Sequence, residues 1–297
     1  MEIAVLADIH SNYVALERCM CYAEKRGIRR FLFLGDYIGE FAYPERTMEL
    51  LRRYNREYDC TFIRGNKEDY WLDYRNNGEQ GWLEYNSTTG ALYYAYHHLG
   101  RKDLQFFDSL PVARKLQYGE MPTLIACHGS PTRVRGNMLP GNTETKKTLE
   151  ASEVDLILYA HTHIQGKTVH RGKMALNPGA VGVPLKADGK TQFMILHGEQ
   201  GHWQEEFISL EYDRERVIRE LYSSGLMERA PYWCMITERL LRNELPEEIA
   251  HARILERVMT LCEKETGKCN WPDIPERYWE HAMGQLLHSL NSSINFS

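Results

Sequence analysis

The stretch Ile3-Ala4-Val5-Leu6-Ala7-Asp8-Ile9-His10-Ser11-Asn12 decides how the chain is read. An unbroken apolar run enters a carboxylate, an imidazole follows two positions later, and an amphipathic segment starts near Tyr13. That order spells a buried strand, a tight turn and a helix. Asp8 and His10 alternate in the strand-to-loop register, so both project beyond the strand's C-terminal end, where open α/β sheets place their ligands. An Asp at the end of a strand is commonly a turn or N-cap residue. What sets this one apart is that the same event recurs down the chain.

After a helix over 14–26, the apolar strand Phe31-Leu32-Phe33-Leu34 runs into Gly35-Asp36-Tyr37. After a second helix over 44–54, opened by Pro44, Thr61-Phe62-Ile63 runs into Arg64-Gly65-Asn66-Lys67-Glu68. Strand, polar turn and helix in succession imply a parallel sheet with right-handed crossovers. Further on, the strand 122–127 ends in His128-Gly129, and the strand 155–159 in Ala160-His161-Thr162-His163. The segments 167–170, 174–177, 192–197 and 203–210 are spaced as an antiparallel second sheet, with a structured Asn177-Pro178-Gly179 loop among them. Asp8, His10, Asp36, Asn66, His128, His161 and His163 thereby gather at or just after strand ends. Two carboxylates, an amide and four imidazoles suffice for two divalent cations that share one carboxylate. Imidazole with carboxylate oxygen suits Mn, Fe, Zn, Ni or Co better than Mg or Ca, and the lack of thiolate argues against a structural zinc. The other histidines, His251 among them, stand outside these motifs and are assigned no role.

The composition of the 297 residues, 43% hydrophobic and 26% charged, is that of a globular protein. A net charge of −5 without a basic run argues against a long nucleic-acid polymer as substrate. Seven cysteines without a Cys-x-x-Cys pair point to a reduced, cytoplasmic compartment. No signal peptide precedes the first strand, and no apolar stretch is long enough to span a bilayer. The stretch 70–100 is crowded with aromatics, including Trp71, Tyr74, Trp82, Tyr93, Tyr94 and Tyr96. It reads as helical pieces laid over the crevice, whose rings either seal the insertion onto the core or stack on a substrate ring. Beyond Leu210 the chain turns helical, with Asp213 as an N-cap and Pro231 opening a further helix. The helix over 247–263 carries the stripe Ile254, Val258, Leu261 and Cys262, and the last helix carries Trp279, Met283, Leu286 and Leu290. Such stripes pack on the parent domain, pair two copies, or close a lid. The organisation expected is a catalytic unit over 1–210 and a helical extension over 211–297.

The ordered set Asp8-Ile9-His10, Gly35-Asp36, Gly65-Asn66, His128-Gly129 and Ala160-His161-Thr162-His163 resembles the calcineurin-like metallophosphoesterases, most of all their bacterial and archaeal phosphodiesterase branch. The resemblance covers roughly 1–210 and implies an α/β fold of two face-packed mixed sheets flanked by helices. It implies that Asp8, His10, Asp36 and His163 hold one divalent metal, that Asp36, Asn66, His128 and His161 hold a second, and that Asp36 bridges. A hydroxide held between the cations would attack a phosphodiester or a nucleotide-type phosphate ester, with Lys67, Asp36 and His128 as the catalytic residues. The alternatives are a phosphomonoesterase, or a scaffold that keeps the fold without turnover. Two departures stand out. Lys67 replaces the usual His after Gly-Asn, where an ammonium can steady phosphate, or protonate a leaving group if its pKa falls. Ala160 replaces the usual Gly before His161. Asn12 and Arg64 are further candidates for substrate contact, alongside Arg133. The C-terminal helices offer a surface for self-association.

Overall fold

The computed structural model describes residues 1–246 and 249–294. Strand β1 (Glu2–Leu6) leads to helix α1 (Tyr13–Lys25), which starts where Asn12 Oδ1 accepts the N–H of Ala15 at 3.1 Å. Strand β2 (Arg30–Phe33), helix α2 (Pro44–Glu57) and strand β3 (Asp59–Phe62) repeat the unit, with Pro44 in the first turn where its missing N–H costs nothing. Helices α3 (Asn66–Asn76), α4 (Gly90–His97) and α5 (Arg101–Ser109) then precede β4 (Ala113–Leu116) and β5 (Leu124–Cys127). Helix α6 (Thr143–Ala151) and strands β6 (Leu156–Leu158), β7 (Gly166–His170), β8 (Lys173–Asn177), β9 (Thr191–Glu199) and β10 (His202–Leu210) follow. The chain ends in helices α7 (Arg214–Ser223), α8 (Leu226–Arg229), α9 (Pro231–Leu241), α10 (His251–Thr266) and α11 (Glu276–Ile294). The first two positions of the helix expected over 247–263 lie outside the described residues.

Two mixed five-stranded sheets result, ordered β10-β9-β1-β2-β3 and β4-β5-β6-β8-β7. β1, β2 and β3 are parallel, as are β5, β6 and β8, so the polar turns of each set leave from the same edge. The pleat explains the unbroken apolar run of β1. Ile3 and Val5 join Leu32, Met194, Leu124 and Leu158 between the sheets, while Ala4 and Leu6 face the helices with Leu16, Met20 and Phe33. A separate apolar layer, with Leu149 and Tyr159, covers the outer face of the second sheet.

One expectation about the sheets needs correcting. The four late strands do not form one antiparallel sheet: β7 and β8 close the second sheet, whereas β9 and β10 extend the first, with β9 antiparallel to β1. The link between them returns past the end of β1, where Val181 and Gly182 donate to the carbonyls of Ala7 and Asp8 at 2.9 Å each. Alternation and spacing along a strand report how neighbours run, but not which sheet edge they join.

The aromatic stretch 70–100 is helical in α3 and α4, and most of its rings pack on one another. Tyr74 stacks on Trp82 with centroids 3.9 Å apart, and Trp71 and Tyr96 meet Trp82 edge-on. Such contacts add about 0.5–1.5 kcal/mol each beyond the area they bury. Trp71, Tyr74, Tyr94 and Tyr96 belong to the main core, and only Tyr70 of this stretch reaches the crevice beyond the strand ends. The crevice is roofed instead by the C-terminal helices, through Trp233 on α9 and His251 and Leu255 on α10. Their apolar stripes (Ile254 and Val258 on α10, Trp279 and Met283 on α11) close on Ile236 of α9 as a cluster of their own. The loop before α4 ties this bundle down: Glu276 accepts from the Ser87 backbone at 2.9 Å, and Trp279 donates to Thr88 Oγ1 at 2.8 Å. Among the described residues no helix is long and apolar enough to cross a membrane.

Candidate metal centre

The seven strand-end residues come together in the fold. Asp8 and His128 lie fully buried at the floor, and His10, Asp36, Asn66, His161 and His163 line a crevice of about 430 Å³ above them. Asp8, His10 and His163 bring ligand atoms together in one group, and Asp8, Asp36 and His128 in a second. Asp8 Oδ1 stands 3.4 Å from His163 Nε2 and 3.9 Å from the Nε2 of both His10 and His128. The two oxygens of Asp36 divide between the groups, Oδ2 at 3.6 Å from His10 Nε2 and Oδ1 at 3.5 Å from His128 Nε2. Asn66 Oδ1 lies 3.1 Å from His128 Nε2. His161 stands beside His128, ring centroids 5.2 Å apart, and its backbone N–H donates to Asp8 Oδ2 at 3.2 Å.

The backbone at these positions is unusual. Asp8, His10, Ser11, Asp36, His161 and His163 all have positive φ, between 51° and 73°. Asp and His tolerate this region better than most residues, yet each such position still costs on the order of 1–3 kcal/mol, and such residues cluster at functional sites. Ala160 is not among them, so the residue that replaces glycine there escapes the strain. Two glycines permit the close approach of the loops. A Cβ on Gly65 would run into Asp36, and one on Gly39 into His10.

Hydrogen bonds set the tautomers. His128 Nδ1 is 2.7 Å from the Leu34 carbonyl and His163 Nδ1 is 2.7 Å from the Val183 carbonyl, so both nitrogens donate. His10 Nδ1 donates to Glu40 Oε2 at 2.9 Å. In the neutral rings each Nε2 is then a bare lone pair aimed inward. His10 Nε2 and His163 Nε2 face each other at 3.2 Å, and Asp8 Oδ1 has no hydrogen-bond partner although it is buried. Lone pairs and a carboxylate oxygen crowded this closely require positive charge among them. Burial raises the carboxyl of Asp8, but His163, His128 and His10 outweigh it and hold it well below the usual range. Burial pulls His128 and His163 down, and the neighbouring carboxylates raise them above the ordinary imidazole value. His161, buried beside His128, is pushed down to about 4. The donor set, its tautomers and its orphaned oxygen all fit divalent cations.

Lys67 opens α3 inside the crevice, and its ammonium pairs with the buried carboxylate of Glu40. Burial alone would lower its pKa, but Glu40 more than compensates and raises it, so the group remains a cation. Glu40 thus joins His10 to Lys67. It lies four residues past Asp36 in an irregular loop, and no periodicity or motif singles it out in the sequence. Glu68 stands three residues after the helix-opening Gly65, the spacing of a capping box, and its carboxyl accepts the backbone N–H groups of Gly65, Asp36 and Tyr37 at 2.7, 2.9 and 3.0 Å and so holds the two turns together. His251 and Trp233 were as invisible as Glu40, because only tertiary packing carries the C-terminal helices over the site.

Other candidates are engaged elsewhere. The Asn12 amide caps α1 and donates to the Gly182 carbonyl at 3.1 Å. The Arg64 guanidinium donates to the carbonyls of Leu110 and Asp108 and faces Asp69. Arg133 faces Glu144 at 3.5 Å, in a separate depression on the surface. None of the three lines the crevice.

Comparison with known proteins bears on the family and the fold. A family model described as the calcineurin-like phosphoesterase superfamily domain matches residues 1–201. An uncharacterized protein of Methanocaldococcus jannaschii is 29% identical over 261 residues, which cover 80% of this chain and 96% of the relative. A solved metallophosphoesterase from Sphaerobacter thermophilus superposes with a TM-score of 0.63 at 22% identity, over 80% of this chain and 100% of that one. A hypothetical protein from Pyrococcus horikoshii does so with a TM-score of 0.68 at 20% identity, over 81% of this chain and 97% of that one. Since the family model matches residues 1–201 of the 297, the chain belongs to the calcineurin-like phosphoesterase superfamily.

Proposed function

We propose that this phosphoesterase hydrolyses phosphodiesters or nucleotide-type phosphate esters with two divalent transition-metal ions held by Asp8, His10, Asp36, Asn66, His128, His161 and His163. The observation that carries the reading is the 3.2 Å approach of His10 Nε2 to His163 Nε2 beside the unpartnered Asp8 Oδ1, which calls for a cation at that place. Mn, Fe, Ni, Co or Zn bound there would supply an activated water near neutral pH and neutralise charge on the phosphoryl oxygens. Asp36, with one oxygen toward each half of the site, suits the bridging position, although Asp8 Oδ1 also faces both halves. Asn66 contributes oxygen without negative charge, which limits repulsion of an anionic substrate. His128 is held by Leu34 so that it cannot turn away from Asp36. Lys67 extends its ammonium into the crevice and steadies the substrate's phosphate as a point charge. Its raised pKa favours this role over proton donation.

Metal analysis of the purified protein, together with turnover of an aryl phosphodiester before and after chelation, tests the reading. The expected result is near two transition-metal ions per chain, hydrolysis that a chelator abolishes, and the sharpest loss of both in Asp36→Asn. A full rate in the chelated protein or in Asp36→Asn would overturn it, and metal-free protein without turnover would favour the scaffold.

A further inference from the structure

Tyr70 belongs to two spaces at once. It lines the metal crevice, where the Lys67 ammonium lies 5.5 Å from its ring centroid, and it also lines an adjoining groove of about 550 Å³. Leu255 is shared between the two in the same way. In the groove Tyr70 stacks on Trp271, with centroids 5.5 Å apart and planes 27° from parallel, and the Arg135 guanidinium lies 4.7 Å from the Tyr70 centroid. Trp271 keeps 38% of its surface in solvent despite this stack. Arg135 is exposed and forms no ion pair among the described residues. Asp73, Asn77 and Gln80 also line the groove.

We propose that this groove receives the base of a nucleoside phosphate ester whose phosphate lies at the metal centre. The proposal rests on the phosphoesterase reading above and names its substrate class. Its chemistry follows from the walls. The part of the Trp271 ring left in solvent offers a stacking surface to a flat ring, amide side chains serve a ring whose edge both donates and accepts, and the exposed Arg135 cation suits an anionic ligand. An alkyl or sugar phosphate would leave the aromatic wall unused. A polymer would need a basic track along the surface, which a chain of net charge −5 without a basic run does not provide. Tyr70 and Leu255 form part of the wall of both spaces, so a ligand that reaches past Tyr70 meets both. Trp271 lies beyond the 1–201 match, so the wall it forms is an addition to the shared catalytic unit.

The test compares two diesters that release the same p-nitrophenolate from the metal-loaded, full-length protein: methyl p-nitrophenyl phosphate and the p-nitrophenyl ester of thymidine 5′-monophosphate. The wild type is expected to prefer the nucleoside ester in kcat/KM. Trp271→Ala should cut that preference about tenfold, mainly through KM, as loss of one stacking face does. Trp271→Phe should retain most of it. Arg135→Gln, a change at an exposed position, should cut it roughly threefold, the scale of one exposed cation contact. Calorimetric titration of the metal-free protein with thymidine 5′-monophosphate reads the groove without turnover, and Trp271→Ala should weaken that binding by a similar factor. Equal losses on both esters in Trp271→Ala and Arg135→Gln, or nucleotide binding unchanged in Trp271→Ala, would overturn the proposal. If the loaded protein hydrolyses neither ester, the phosphoesterase reading fails, while the titration still decides the groove.

Discussion

At the scale of single residues, the centre combines groups of opposite tendency under one roof. The Asp8 carboxyl, which burial would neutralise, stays ionised because imidazoles face it, and Lys67 stays charged because Glu40 does. This pairing complicates removal of the lysine. Lys67→Ala deletes the charge expected to steady phosphate and also strands a buried carboxylate against His10. Comparison with Glu40→Gln/Lys67→Gln, which removes both charges, separates the two effects. Both variants should keep their metal and lose on the order of 2–4 kcal/mol of transition-state stabilisation, a fall of roughly 30- to 1,000-fold in kcat/KM for an aryl diester. Parent rates in the double variant would reduce Lys67 to a structural cation.

At the scale of elements, the site depends on how closely two loops can approach. The turn after β2 and the start of α3 meet at Gly65, whose backbone φ of −99° any residue can adopt. Glycine is required there for space rather than conformation, since a Cβ would overlap Asp36 and the Glu68 carboxylate that ties the turns together. Gly65→Ala is therefore expected to lose about 1–3 kcal/mol of stability through overpacking and to displace Asp36. Thermal unfolding and metal content measure this: a lower midpoint together with substoichiometric metal is the expected pair, and an unchanged midpoint with full metal would show that the loops have room to part.

At the scale of the whole molecule, the helical extension is both a roof and a ballast. Its stripes close on one another and on α9, so they are covered within the chain. A chain ending before Pro246 would lose α10 and α11, uncover Ile236 and strip Asn86, Ser87 and Thr88 of their partners in α11 and the loop before it. It should self-associate, as light scattering would show, since a newly exposed apolar patch seeks cover. Metal content should survive, because every expected ligand precedes residue 201, and the preference for nucleoside esters should disappear with Trp271. A monodisperse truncated protein with its preference intact would show that the extension is only an appendage.

The strand-end grammar was legible in the residues themselves. An apolar run broken by Asp, His or Asn at its C-terminal end marks a buried parallel strand delivering a polar group to one sheet edge, and Asp8, Asp36, Asn66 and His128 follow that local rule. Stripes such as Ile254, Val258 and Trp279, Met283 were equally local, being matters of helical period. Which edge β9 and β10 would join was not, because pairing partners far apart in sequence are chosen by how a connection folds back, here by the contacts of 181–182 with the end of β1. Glu40, His251 and Trp233 acquire their places only when separate segments pack, and no period or spacing encodes that meeting. The fate of the aromatics in 70–100 was open for the same reason. A ring that seals a core and a ring that meets a substrate have the same chemistry, and only packing around Trp82 and Trp271 separates Tyr74 from Tyr70.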